Sequence, residues 1–134
     1  MAHKVELDFD YHGLRCVVLG LDMGHRCGYV GLPKGHKYYG LDYNKLDDIE
    51  VHGGWTYQGE SNGYPVESVD TWWIGFDCAH YGDGKDEMLI KELASQDAVD
   101  FWLDRMRNYY DTSPKSAEYV KRELICAVNQ IINK

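Results

Sequence analysis

Positive charge is scarce in this chain. Fourteen lysines and arginines stand against 22 aspartates and glutamates, a formal net charge of −8. A field of that sign repels polyanions, so direct DNA or RNA binding is not expected. A small anionic ligand stays open, because the potential inside a pocket is local. Long hydrophobic runs are also missing: no stretch approaches the roughly 20 apolar residues of a membrane span. The opening segment MAHKVELDFDYHG lacks the apolar core that a signal peptide needs. A cytoplasmic protein with no membrane contact is therefore expected. Paired cysteines are absent too. Cys16, Cys27, Cys78 and Cys126 are scattered with no CxxC among them, which reads as reduced thiols in buried positions rather than a disulfide framework. Neither the phosphate-cradling GxxxxGK[ST] nor the zinc-binding HExxH occurs, and there is no internal repeat or low-complexity segment.

What is present is a core-forming supply. The chain has 134 residues, 44% hydrophobic and 13% aromatic, with 11 tyrosines and 4 tryptophans. That favours one globular domain over 1–134. Residues 1–85 are β-rich with loops. KVELDFD alternates Val5, Leu7 and Phe9 inward with Glu6, Asp8 and Asp10 outward. YHG turns the chain into LRCVVLGL, and RCGYVGL, GWTYQGE and VDTWWIGFDC follow as further strands. A long connection from Leu32 to Gly54 includes YNKLDDI, which suits one helical turn. Residues 95–133 read as two helices. The first has Ser95 as N-cap and Val99, Trp102, Leu103, Met106 and Tyr110 as its apolar stripe. The second has Ser113 as cap with Pro114 at the first helical position, and a stripe of Val120, Leu124, Ala127, Val128 and Ile131. The economical architecture is α+β: an antiparallel sheet of about five strands packed on two C-terminal helices, a two-layer sandwich.

Polar residues gather at the strand ends. His25 precedes the third strand, His52 the fourth, and Asp77, His80 and Asp83 follow the fifth. If the long connection returns to the edge where the third strand begins, these residues share one rim. His52, His80, Asp77 and Asp83 are the candidates for acid–base chemistry. With His25 they are also candidate metal ligands, but Asp-x-x-His-x-x-Asp matches no established ligand spacing, so no metal is assigned and no cofactor is named. The competing reading is an Asp77-capped turn that ends in a tight Asp83–Gly84 bend. Cys78 beside His80 or His52 offers a thiolate pair, against the plainer reading of a core residue. In GLPKGHKYYG, Lys34, His36 and Lys37 offer cations for an anion cradle, with Tyr38 and Tyr39 as stacking faces. His52, Gly53, Gly54 and Thr56 offer hydrogen bonds. Adjacent Trp72 and Trp73 point to opposite faces of a regular strand. One faces the helices; the other is exposed, at a homodimer or higher-oligomer interface, or lies under the long loop.

Three motifs resemble a family of small bacteriophage and prophage proteins. HRCGYVGLPKGH, HGGWTY and WWIGFDCAHYGD match H-x-x-GYVG-x-P-x-GH, HGG-x-T-[YF] and WW-x-GFDCAH-x-GD in that order. Trp55 departs from the aliphatic residue more usual there. The resemblance implies a viral origin and a joint role for His25, Gly28, Tyr29, Pro33, His36, His52, Gly53, Gly54, Thr56, Asp77, His80 and Asp83, without implying a mechanism. The resulting expectation is a module that binds a small polar or phosphorylated ligand, such as a nucleotide immune signal sequestered in an anti-defence role. His25, Tyr29, Lys34, His36, Lys37, His52, Gly53, Gly54, Thr56, Asp77 and His80 would form its site. The alternatives are a hydrolase or phosphodiesterase built on the same His/Asp cluster, and an acidic inhibitor of a host protein.

Overall fold

A computed structural model describes residues 2–80, 83–106 and 113–134. The fold is α+β. Strands β1 (His3–Tyr11), β2 (Leu14–Leu21), β3 (Arg26–Pro33), β4 (Tyr57–Glu60) and β5 (Thr71–Asp77) form one antiparallel sheet in the order β1-β2-β3-β5-β4. Helices α1 (Glu87–Leu93), α2 (Gln96–Met106) and α3 (Ala117–Ile132) follow.

The β1–β2 hairpin closes through His12 and Gly13, both at positive φ, as a two-residue turn matched to strand twist requires. Strand β1 alternates less simply than its sequence suggests. Val5 pairs with Leu19 and Leu7 with Val18, so Glu6 is an extra residue in a bulge. The bulge puts Val5 on the opposite face from Leu7 and Phe9 and leaves it 46% exposed. Glu6 turns towards the helices, where its carboxylate meets Arg26 at 2.6 Å.

Strands β3 and β5 interlock through glycine–aromatic pairs. Gly28 lies opposite Phe76, Tyr29 opposite Gly75, and Gly31 opposite Trp73. Each ring occupies the space that its partner's side chain would fill. A Cβ on Gly28 would stand 2.7 Å from the Phe76 ring and 2.8 Å from Val120; one on Gly75 would stand 2.6 Å from Tyr29.

Both faces of the sheet are covered. On one, Cys16, Val18, Val30, Ile74 and Phe76 meet Val120, Leu124, Ala127, Val128 and Ile131 of α3. The long connection packs on this same face: its 3₁₀ turn, Tyr43–Leu46, is capped by Asp42, and Leu46 and Ile49 are buried in the α3 core. On the other face, Val17, Leu19, Tyr29 and Trp73 lie under Tyr64 and Val66 of the β4–β5 connection. Trp72 faces α3 and donates through Nε1 to the Leu41 carbonyl. Trp73 is the far-face tryptophan, but it is fully buried and bonded to Ser68, so neither an exposed interface nor the long loop accounts for it.

The helical part differs in detail from the sequence reading. KDEMLIKEL adds a short helix, α1, whose Leu89 and Ile90 close on Gly20 and Gly24 at the β2–β3 turn. Helix α2 starts after Ser95, which caps it as expected, and it packs against α1. Its Tyr110 lies outside the described residues. Helix α3 is capped by Ser116, not Ser113, so Pro114 precedes the helix. Cys16, Cys27 and Cys78 are buried as expected, whereas Cys126 is exposed on α3.

Arg26 joins the layers. With its side chain only 9% exposed, it bonds Glu6 of β1, Asp86 at the start of α1, and the Lys115 carbonyl ahead of α3. Removing it would leave two partly buried carboxylates without their cation. Arg26→Ala should therefore lower unfolding free energy by about 3–5 kcal/mol, read from chemical denaturation. Gly28→Ala and Gly75→Ala should each cost about 1–3 kcal/mol by overpacking; unchanged stability in both would contradict the interlock.

Candidate functional site

The β3–β5 register pairs Cys27 with Asp77 and brings the Cys78 amide to the Arg26 carbonyl at 2.9 Å. His25, just before β3, is thereby set beside Ala79, just after β5. The long connection runs along α3, with Glu50 and Gln130 exchanging hydrogen bonds, and delivers residues 52–56 to this same rim. Thr56 then bonds the Gly75 carbonyl through its amide and Asp77 through its hydroxyl. His25, His52, Thr56, Asp77, His80 and Asp83 therefore stand at one end of the sheet.

Asp77 forms a local turn, accepting from the Ala79 amide at 3.1 Å while its other oxygen accepts from Thr56 at 3.1 Å. The His80 imidazole stands with Nε2 3.4 Å from Asp77 Oδ1, near but without a hydrogen bond. Asp83 is more enclosed: its side chain is 5% exposed and accepts from His52 Nε2 at 2.8 Å and from the His80 amide at 3.1 Å, with Lys115 Nζ at 4.0 Å. Since a carboxylate only accepts, His52 carries its proton on Nε2 when neutral, and Nδ1 accepts from the Tyr119 hydroxyl at 2.8 Å. Both nitrogens of His52 are thus engaged, and the ring ties the 52–54 turn to the segment after β5 and to α3. Gly53 has φ +72°, and a Cβ there would lie 2.1 Å from His80 Nε2, so backbone conformation and ring approach both demand glycine.

His25 is 9% exposed, and among the described residues its Nδ1 has no hydrogen-bond partner. Burial lowers its pKa from the ordinary value, and nearby Lys85 lowers it further. His25 and Ala79 form a wall common to two cavities. One, of about 310 Å³, is lined by Tyr29, Thr56, Tyr57, Phe76 and Asp77 as well. The other, of about 270 Å³, is lined by His80, Asp83, Gly84 and Lys85.

Several expected site residues lie elsewhere. Strand β3 is 8 residues long, so its ends are about 23 Å apart. Lys34, His36 and Lys37 follow its far end and cannot join the His25 rim. There, the Lys34 amide bonds the Asp70 carbonyl, His36 Nδ1 accepts from the Tyr38 amide, and Lys37 bonds the Lys134 carbonyl. Tyr29 lines the larger cavity, but its hydroxyl pairs with that of Tyr64 at 2.5 Å. Gly54, at φ +81°, faces open space. Cys78 is 1% exposed and burial, followed by the charge of Asp83, pushes its thiol up to about 12, so it is a core residue with no thiolate at neutral pH. Among the described residues no three His, Cys, Asp or Glu side chains are grouped as a metal centre requires.

The sequence reading missed Tyr119, Lys85 and Lys115. Tyr119 carries a weak signal as the polar-tipped residue in the first turn of α3, but its partnership depends on where that turn docks. No family model, curated protein or solved structure matches the chain.

Because burial lowers the His25 pKa, the unfolded chain takes up this proton at higher pH than the folded one, and acid destabilises the fold. The stability advantage of the native protein over His25→Gln should be largest above pH 6.5, the ordinary histidine value. It should shrink as pH falls from there. Thermal unfolding of both proteins across pH 5–8 checks this; a constant difference would contradict it.

Proposed function

We propose that the protein is a binding module that holds a small polar ligand at the His25 rim. The observation that carries this reading is the buried His25 ring, with an unpartnered Nδ1, set in the wall between two cavities. An unsatisfied buried nitrogen costs about 1–3 kcal/mol, and a ligand hydrogen bond offsets it. In the bacteriophage setting that the motifs imply, such a module would sequester a host-cell small molecule, an anti-defence role.

Two features favour holding over chemistry. His52, one of the candidate bases along with His80, has both nitrogens engaged. Tyr119 is kept protonated by burial and by nearby Glu123, so it is a poor nucleophile. The phosphorylated-ligand version loses support as well, since the lysine-rich loop lies at the other end of β3. The tryptophan that motivated an oligomer interface is covered by the chain's own 61–70 segment.

Native mass spectrometry of protein purified from cells tests the reading. The expected result is an intact small molecule retained by the native protein and by His36→Ala, and lost from His25→Ala. Loss from His36→Ala alone would move the site to the opposite end of the sheet and overturn the proposal.

A further inference from the structure

We infer that the 310 Å³ cavity between β3, β4 and β5 takes a small organic cation, an ammonium, amidine or guanidinium group on a compact body. This deepens the binding-module reading and rests on it.

The charge inside the cavity points one way. Among the described residues that line it, Asp77 is the ionised group and there is no lysine or arginine. Each Asp77 oxygen accepts one hydrogen bond, from Ala79 or Thr56. A carboxylate has about four acceptor sites, so capacity remains, and the side chain is 31% exposed. The nearby cation belongs to the other compartment: Lys85 Nζ donates to the Met23 carbonyl and lies 4.5 Å over the Trp102 ring.

The remaining walls suit the same group. Tyr29 and Tyr57 supply aromatic rings, whose π-systems attract cations. His25, nine-tenths buried and unpartnered at Nδ1, is an independent feature of the same wall. Burial disfavours its charge, and in the neutral Nε2–H tautomer Nδ1 accepts an N–H as Asp77 does. An anion would meet Asp77 with no lysine or arginine among the described lining residues to offset it, and an apolar ligand would leave the ring nitrogen and the carboxylate unsatisfied. The chain's net charge of −8 further enriches cations at its surface.

The test compares benzamidine with benzoate, similar in shape and opposite in charge, by the NMR signals of the His25 imidazole. Benzamidine should shift them saturably, and benzoate should leave them unmoved at the same concentration. Asp77→Asn should weaken benzamidine by about tenfold or more, as loss of a charge-assisted hydrogen bond does. Should that variant lose its turn, Tyr57→Leu, which spares the Asp77 hydrogen bonds, should weaken benzamidine several-fold. Benzoate shifting His25 as strongly as benzamidine would retain the rim site and overturn its cation preference. No shift at His25 from either probe would overturn the preference and the site together. Benzamidine binding unchanged in both variants would also overturn the inference.

Discussion

Three glycine–aromatic pairs between β3 and β5 set the geometry of everything at the rim. Gly28 with Phe76 lies on the α3 face, and Tyr29 with Gly75 and Gly31 with Trp73 lie on the other, so in every pair a ring on one strand covers bare backbone on its neighbour. A slip of one residue would set ring against ring and send every side chain to the wrong face. The register that these pairs lock puts Cys27 across from Asp77, and so His25 beside Ala79. The glycines of GYVG and WWIGF are therefore packing residues. Their contribution to the site is to fix which strand ends meet.

The rim is also where structural and functional demands overlap. Asp77, His80 and Asp83 form local turns, as a plain reading of DCAHYGD suggests, and Asp83 also accepts from His52, delivered by the long connection. His52 and Asp83 are committed to holding the turn, the post-β5 segment and α3 together. His25 and Asp77 retain unused hydrogen-bonding capacity. The difference lies in the number of partners each side chain has, a quantity that residue type does not reveal. Arg26 supports the arrangement from beneath by joining β1, α1 and the approach to α3 beside His25.

Strand alternation, glycine turns and the apolar stripe of α3 made the α+β fold legible in the sequence. Strand direction alone placed His25, His52 and His80 at a common end, given a return of the long connection. Three things escaped. The bulge at Glu6 escaped because alternation in KVELDFD is perfect until Arg26 claims the carboxylate. The cover over Trp73 escaped because the 61–70 segment carries no regular period, so its burial of the far face is a tertiary fact. The lysine-rich loop was joined to the rim by composition, although the eight residues of β3 separate the two. Sequence proximity between HRCGYVG and LPKGH is large separation in space, because a strand is the most extended path a chain can take.

The most direct measurement of the account is a histidine-resolved NMR spectrum of the protein titrated with the small-molecule fraction of a cell extract. His25 and His36 lie beyond opposite ends of β3 and act as reporters for the two ends of the sheet. The account predicts that the His25 imidazole signals move while those of His36 stay fixed. Movement at His36 with His25 unchanged would contradict it.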